Sequence, residues 1–316
     1  MGAQTYYIAI DLGGTRVKLG LLKNHSLIDK HILMADSLQG LSAHLQSIET
    51  AINSLLQKNN IDNKSLSGVG LAFPGIVNTQ TRKVLSTNNK YDDAPSLDLQ
   101  TWFTERWDTD FFLDNDARMS AVGEWKFGAG KGFDNIVSVT IGTGIGSSAI
   151  IEGKLLRGKH FQAGCLGGHF TINYKGNICS CGNLGCVEAE ASTRSIVNRI
   201  KNDSLFKKSS LSQIKTIDFH AVFMAAANKD FLASVVKNEC LDIWTAGIIN
   251  LIHAYDPEVI VLGGGILNSK EEIMPYITER VHKYAWCPWG KVEIRASTLM
   301  SSAALLGLGY CLQHKI

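Results

Sequence analysis

YYIAIDLGGTRVKLGLLK, residues 6–23, decides the fold. An apolar run from Tyr6 to Ile10 ends at Asp11, Gly13-Gly14 makes a tight turn, and Val17, Leu19 and Leu21 then alternate with other residues, which together predict a β-hairpin. A third strand is expected near Leu27 to Leu33. Beyond it, Leu41, Leu45, Ile48, Ile52 and Leu55 recur at three- and four-residue spacing, as on one face of a helix, with Ser37 as its expected cap. The order is β-β-β-α.

Further along, GVGLAFPG (68–75) predicts a buried strand closed by a Pro-Gly turn, Leu97 to Arg106 a helix, and Phe111 to Leu113 a short strand that stops at Asp114-Asn115-Asp116. After a helix over Ala117 to Phe127, NIVSVTIGTGIGSSAIIEG (135–153) repeats the strand, glycine turn, strand layout of the N-terminus. EVIVLGGG (258–265) adds one more strand and glycine turn, and Ala303 to Leu312 a final helix. Helices between strands define an α/β class, and two β-β-β-α halves point to paired sheets instead of one doubly wound sheet. The boundary is expected near Asp116, giving a small domain over 1–116 and a large one over 117–299.

At 316 residues the chain exceeds one ordinary domain, and 45% apolar with 19% charged residues is a globular balance. A net charge of +2 offers no field to draw in nucleic acid. No apolar run approaches the ~18 residues of a membrane span, and MGAQTYYIAIDLGG lacks the basic and long apolar regions of a signal peptide, so a cytoplasmic protein is expected. Seven cysteines, an odd number, with three crowded between Cys179 and Cys186, suggest metal in a reducing compartment over a disulfide scaffold.

That cluster is the most specific chemical signal. His169 is followed, after nine residues, by Cys179-Ser180-Cys181-Gly182-Asn183-Leu184-Gly185-Cys186. Three thiolates and one imidazole complete a tetrahedral zinc set with no open position, so the zinc is expected to be structural. The glycine turns carry the second signal. Asp11, Gly13, Gly14 and Thr15 suit phosphate, with bare backbone N–H groups, a hydroxyl, a nearby cationic Lys18 or Arg16, and a carboxylate for Mg²⁺-bound water; an ordinary hairpin turn fits them as well. Gly142-Thr143-Gly144 offers the same again, and the strand that follows it argues against a dinucleotide fingerprint. Gly263-Gly264-Gly265 suits an adenosine.

Asn115 and Asp116 end a strand and could orient a polyol hydroxyl and take its proton; the same position suits the N-cap of the following helix. Glu188, just past the cysteines, could bind sugar hydroxyls or act as a first-turn helix glutamate.

DLGGT, GLAFPG, LDNDA, IGTGIG, the His169 to CSCGNLGCVEAEAS stretch and VLGGG occur in the order seen in the ROK family of sugar kinases and sugar-responsive repressors, which this chain resembles over nearly its whole length. The resemblance implies an actin-like ATPase (ribonuclease H-like) fold of two domains with a cleft and a zinc-binding loop, the last helix (about 300–316) returning to the first domain, and a homodimer. It implies ATP-dependent phosphorylation of a free hexose or N-acetylhexosamine, as by a glucokinase, fructokinase or N-acetylmannosamine kinase, with catalytic Mg²⁺. By position, Asp116 resembles the catalytic aspartate, and Asn115, Glu188 and His169 resemble sugar-binding residues, with Gly75 and Asn88 as further sugar contacts. Asp11, Gly13, Gly14 and Thr15 resemble the first phosphate loop, Gly142, Thr143 and Gly144 the second, and Gly263, Gly264 and Gly265 the adenosine loop.

One departure matters. Family kinases commonly read AGE[IL]GH, whereas this chain reads Ala163-Gly164-Cys165-Leu166-Gly167-Gly168-His169. The carboxylate that would meet the sugar near C1 and C2 is missing; losing a charged acceptor costs ~1.5 to 3 kcal/mol, enough to redirect sugar preference. Two rivals stand beside the kinase. A DNA-binding sugar sensor needs a helix-turn-helix, for which Tyr6 leaves no room ahead of the first strand. A sugar-binding protein without turnover is motivated by the missing glutamate.

Overall fold

The computed structural model describes residues 5–316, so the first four residues of the stretch read for a signal peptide lie outside it. The described chain divides into two compact units. One comprises the residues through Gly132, Arg157–Ala163 and Ser301–Ile316; the other comprises Phe133–Leu156 and Gly164–Met300.

In the first unit, β1 (Tyr6–Leu12), β2 (Arg16–Lys23) and β3 (Ser26–Met34) form an antiparallel meander. Then come α1 (Ser42–Lys58), β4 (Leu66–Phe73), the short hairpin β5 (Gly75–Asn78) and β6 (Lys83–Thr87), α2 (Leu99–Trp107), β7 (Asp110–Asn115) and α3 (Asp116–Phe127). The sheet order is β3-β2-β1-β4-β7, with β4 parallel to both neighbours. Parallel strands need helical crossovers, which cover both faces, and β1 and β4 accordingly read as nearly unbroken apolar runs. One face packs Ile8, Ile10, Leu19, Val69 and Leu71 into a core with Ile48 and Ile52 of α1 and Phe103 of α2. The other face is lined by Gly68 and Gly70, where Leu308 and Leu312 of the C-terminal helix lie against the bare backbone.

The second unit repeats the plan. β8 (Ile136–Ile141), β9 (Ile145–Ile151) and β10 (Lys154–Leu155) are again antiparallel. After the cysteine-rich stretch come α4 (Val187–Ala191), α5 (Thr193–Asn202), α6 (Phe219–Ala227), α7 (Phe231–Tyr255), β11 (Val259–Gly263), α8 (Lys270–Tyr284) and β12 (Glu293–Ala296); the C-terminal helix, α9 (Ala303–His314), belongs to the first unit. The order β10-β9-β8-β11-β12 mirrors the first sheet, with β11 parallel to both neighbours. Its core joins Val137, Val139, Ile260 and Leu262 to Trp244 and Ile248 of α7. Among the described residues no helix is long and apolar enough to cross a membrane.

Two expectations are corrected. The boundary falls at Gly132 instead of Asp116, because α3 packs against α9 within the first unit. That packing is close: a Cβ on Gly307 would stand 1.9 Å from the Met119 carbonyl oxygen. The segment Arg157–Ala163 also belongs to the first unit, where Phe161 and Ala163 carbonyls accept from the buried Arg118 guanidinium. Ser37 does not cap α1; it begins a single 3₁₀ turn capped by Asp36. The α1 N–H groups at Leu41 and Ser42 are met by the Asp93 carboxylate, from a loop about fifty residues on.

Candidate functional site

Each unit carries part of the residues singled out above, and in each a glycine turn joins the first two strands of the sheet. In the first unit the β1–β2 turn is closed by Gly13 N–H on the Arg16 carbonyl at 2.9 Å, and the Gly14 and Thr15 carbonyls accept from Ser37 and Ala35. The N–H groups of Gly14 and Thr15 find no acceptor among the described residues, which leaves two adjacent backbone donors for an anion. Asp11, next to last in β1, is almost fully buried, with Lys18 Nζ 2.8 Å from its Oδ2; the two are directly paired across β1 and β2.

Asn115 is the N-cap of α3, its Oδ1 accepting from Arg118 N–H at 3.1 Å. Its amide donates to the Gly75 carbonyl and to Asp116 Oδ1, both at 3.0 Å. Both amide hydrogens are thereby spent, so a ligand has only the second lone pair of Oδ1 to use. Asp116 is the first residue of α3 and half-buried. Its Oδ1 also accepts from Ala117 N–H at 2.8 Å, while Oδ2 takes no hydrogen bond from the described residues. Burial pushes its carboxyl up to about 6, against the pull of the Lys90 charge, while the Asp11 charge adds to the rise. Gly75 begins β5 opposite Thr87, which places Asn88 at the same end of the β5–β6 hairpin.

Sequence reading missed two residues here. Lys90 follows Asn88 and Asn89, and its Cε lies 3.5 Å from where a Cβ on Gly14 would stand. Tyr91 is fully buried, with its hydroxyl on the Gly13 carbonyl at 2.7 Å. Burial pushes the Tyr91 phenol up to about 12, so it is a permanent donor. The available signal was a lysine and an aromatic after an Asn-Asn turn.

In the second unit, Gly142-Thr143-Gly144 joins β8 to β9. Its Gly142 and Thr143 carbonyls accept from Thr193 and Arg194, at the start of α5, and the Thr143 and Gly144 N–H groups have no acceptor among the described residues. The Gly263-Gly264-Gly265 turn lies against it. Gly264 has φ +92°, and a Cβ there would stand 2.3 Å from the Ile141 carbonyl oxygen, so only glycine lets the turns meet. Glu188, in the first turn of α4, accepts from Ile145 N–H through Oε2 at 2.7 Å.

The ligand atoms of His169, Cys179, Cys181 and Cys186 all lie within 4.8 Å of one another. His169 Nδ1 is 3.4 Å from Cys179 Sγ, and Cys181 Sγ is 3.7 Å from Cys186 Sγ. Bonds of ~2.3 Å in a tetrahedron put sulfur atoms about 3.8 Å apart, so the set fits zinc. The hairpin that carries it is tied by Cys179 N–H to the Asn183 carbonyl, and turns at Gly182, φ +88°. With Nδ1 toward the sulfurs, Nε2 of the half-buried His169 is left for another partner. No carboxylate stands at 165 or 166. Leu166 only precedes the turn Gly167–His169, which Ser147 Oγ holds through Gly167 N–H at 2.8 Å.

Two sheets of this mirrored order, each with a glycine turn between its first two strands, define an actin-like ATPase fold. The ROK family glucokinase of Streptomyces griseus, solved with glucose and AMPPNP, shares it at TM-score 0.82 and 25% identity over 98% of this chain and 99% of that one. The family model described as "ROK family" matches residues 7–315, and the chain belongs to that family. A glucokinase of Thermotoga maritima is 30% identical over 98% of both chains. The xylose repressor of Bacillus subtilis is also 30% identical, over 77% of this chain and 60% of the repressor.

Proposed function

We propose that the protein is an ATP-dependent sugar kinase that phosphorylates a free hexose or N-acetylhexosamine at its primary, C6 hydroxyl. One observation carries the reading: Asp116 has one carboxylate oxygen bound by Asn115 and Ala117 and the other without a hydrogen bond among the described residues. The sugar oxygen forms a bond to the γ-phosphorus as the bond to the β–γ bridging oxygen breaks. ADP leaves with that electron pair, and the hydroxyl proton passes to Asp116 Oδ2. The transition state is loose, so the carboxylate mainly orients the hydroxyl and accepts its proton late.

The other residues take roles that their positions support. Gly13, Gly14 and Thr15, with Gly142, Thr143 and Gly144, give N–H groups to phosphate; Gly263 to Gly265 suit the adenosine end. Asp11 suits Mg²⁺ through water, since Lys18 takes only its Oδ2; Mg²⁺ would offset charge on the phosphates. Glu188, His169 Nε2, Gly75 and Asn88 address the sugar, and Asn115 acts by holding Asp116. Zinc would fix the hairpin between His169 and Glu188. The homodimer and the cytoplasmic location belong to the same reading.

A coupled ADP-release assay over glucose, mannose, fructose, N-acetylglucosamine and N-acetylmannosamine tests it. ADP formed with at least one sugar, and lost by orders of magnitude in Asp116→Asn, supports it. The missing glutamate, its place taken by Cys165 or Leu166, with the xylose repressor match, favours a second reading: a protein that binds sugar without turnover. Calorimetric sugar binding with no ADP from any of the five would select that one.

A further inference from the structure

Lys90 stands out because its surroundings hold it over the first glycine turn while, among the described residues, no carboxylate forms an ion pair with it, its charge reaching Asp116 only at longer range. Its stem runs along Gly14, with Cε and Cδ at 3.5 and 3.9 Å from the place of a Gly14 Cβ. The chain on either side is pinned. Asn89 and Tyr91 both take left-handed conformations, φ +53° and +56°, which cost non-glycine residues energy and persist where the surroundings impose them. Tyr91 supplies that imposition: its hydroxyl holds the Gly13 carbonyl at 2.7 Å and its N–H the Ser37 carbonyl at 2.7 Å. Thr87 is hydrogen-bonded to Asp92, and Asp93 clamps the start of α1. Lys18, by contrast, already spends its charge on Asp11 at 2.8 Å.

We infer that Lys90 is a phosphoryl-binding residue, its ammonium donating to the γ-phosphoryl oxygens above the Gly13-Gly14 turn. The inference rests on the kinase reading for its ligand. Lys90 neither gains nor loses a proton in the reaction; it offsets charge on the transferring group while the proton goes to Asp116. The Lys90 charge also reaches the Asp116 carboxyl, which it pulls down, so both ends of the transfer feel the same side chain.

The test compares Lys90→Met and Lys90→Arg with the parent by calorimetric binding of Mg²⁺–AMPPNP and Mg²⁺–ADP, beside turnover. A charge-assisted hydrogen bond to the γ-phosphoryl is worth about ten-fold or more in affinity. Lys90→Met should therefore raise Kd for AMPPNP at least ~10-fold and that for ADP less than ~2-fold. Lys90→Arg should recover most of the loss, and in Lys90→Met the acidic limb of kcat/KM should move to higher pH. Equal changes for the two nucleotides, or none, overturn the inference; a merely structural lysine would weaken both together and leave the pH limb in place. A parent that forms no ADP with any sugar sinks the kinase reading alone, since the nucleotide pair still decides Lys90. A parent that binds neither nucleotide sinks both.

Discussion

Glu188 Oε2 accepts the Ile145 backbone N–H at 2.7 Å, so the carboxylate just past the cysteine hairpin is bonded to the end of the second glycine turn. The bond couples two features that sequence reading treats separately, the expected sugar-binding carboxylate and the expected phosphate loop. Gly144 enforces it, because a Cβ there would stand 2.5 Å from the same oxygen.

Gly144→Ala should therefore act on Glu188 and hardly on the backbone, since Gly144 does not hold the left-handed conformation that penalises side chains. The displaced carboxylate loses its anchor and its aim. The expected outcome is a sugar KM raised about 10-fold or more, in line with a misplaced charged hydrogen bond, with Tm within ~2 °C of the parent. Steady-state kinetics on the best sugar of the panel check it; an unchanged sugar KM would remove Glu188 from the pocket.

Asp116 gives a prediction in pH. With its carboxyl pushed up to about 6 by burial, kcat/KM should fall below an acidic limb near that value, because the protonated form cannot take the hydroxyl proton. Stability runs the opposite way. The folded pKa is raised above the ordinary 3.8, so the folded state is favoured by the neutral carboxyl at low pH and loses that contribution as pH rises through about 6. Asp116→Asn, which stays neutral, should melt higher than the parent at pH 8, by about 2 to 4 °C for ~1 kcal/mol, and not at pH 3.5. Differential scanning calorimetry at the two pH values reads the sign; a mutant less stable at pH 8 contradicts the raised carboxyl.

How much of this was legible follows from range. Asp11 to Thr15 and Ile141 to Gly146 are strand, turn, strand within a few residues, and the zinc set spans His169 to Cys186, so local pattern revealed them. Asp93 capping α1, and Tyr91 holding Gly13 across 78 residues of chain, depend on where a loop lands, which no periodicity encodes. Strand β12 is four residues, half of them charged, and becomes a strand by pairing with β11, a tertiary override of weak local preference. Asn115 was legible in two ways at once; the structure gives it the N-cap and spends its amide on Gly75 and Asp116.

The cysteine hairpin should carry about one zinc per chain, by the four-ligand requirement of a closed site. Cys181 is the exposed ligand, so Cys181→Ser alters the site with little disturbance to the core. The expected outcome is loss of the metal by elemental analysis, protease cleavage within residues 170–186, and a raised sugar KM, because Cys186 is the N-cap of the helix that carries Glu188. Full metal retention in the serine variant would place the ion elsewhere.

Asp114 gives the sharpest stability test. It is fully buried between two guanidinium groups, with Arg118 Nη1 at 3.4 Å and Arg157 Nη2 at 2.9 Å. Arg118 is itself fully buried and donates to the Phe161 and Ala163 carbonyls, so this charge cluster binds the returning segment 157–163 to the first unit. Asp114→Ala leaves two cations facing each other without their anion, and removing one partner of a buried pair costs about 3 to 5 kcal/mol. The variant should unfold at clearly lower denaturant concentration, with segment 157–163 the first to exchange its amide hydrogens. Asp114→Asn keeps the shape and should lose less. If Asp114→Ala instead melts within ~1 °C of the parent, the two guanidinium groups have found water, and the Arg118 bonds to the Phe161 and Ala163 carbonyls hold the segment without Asp114.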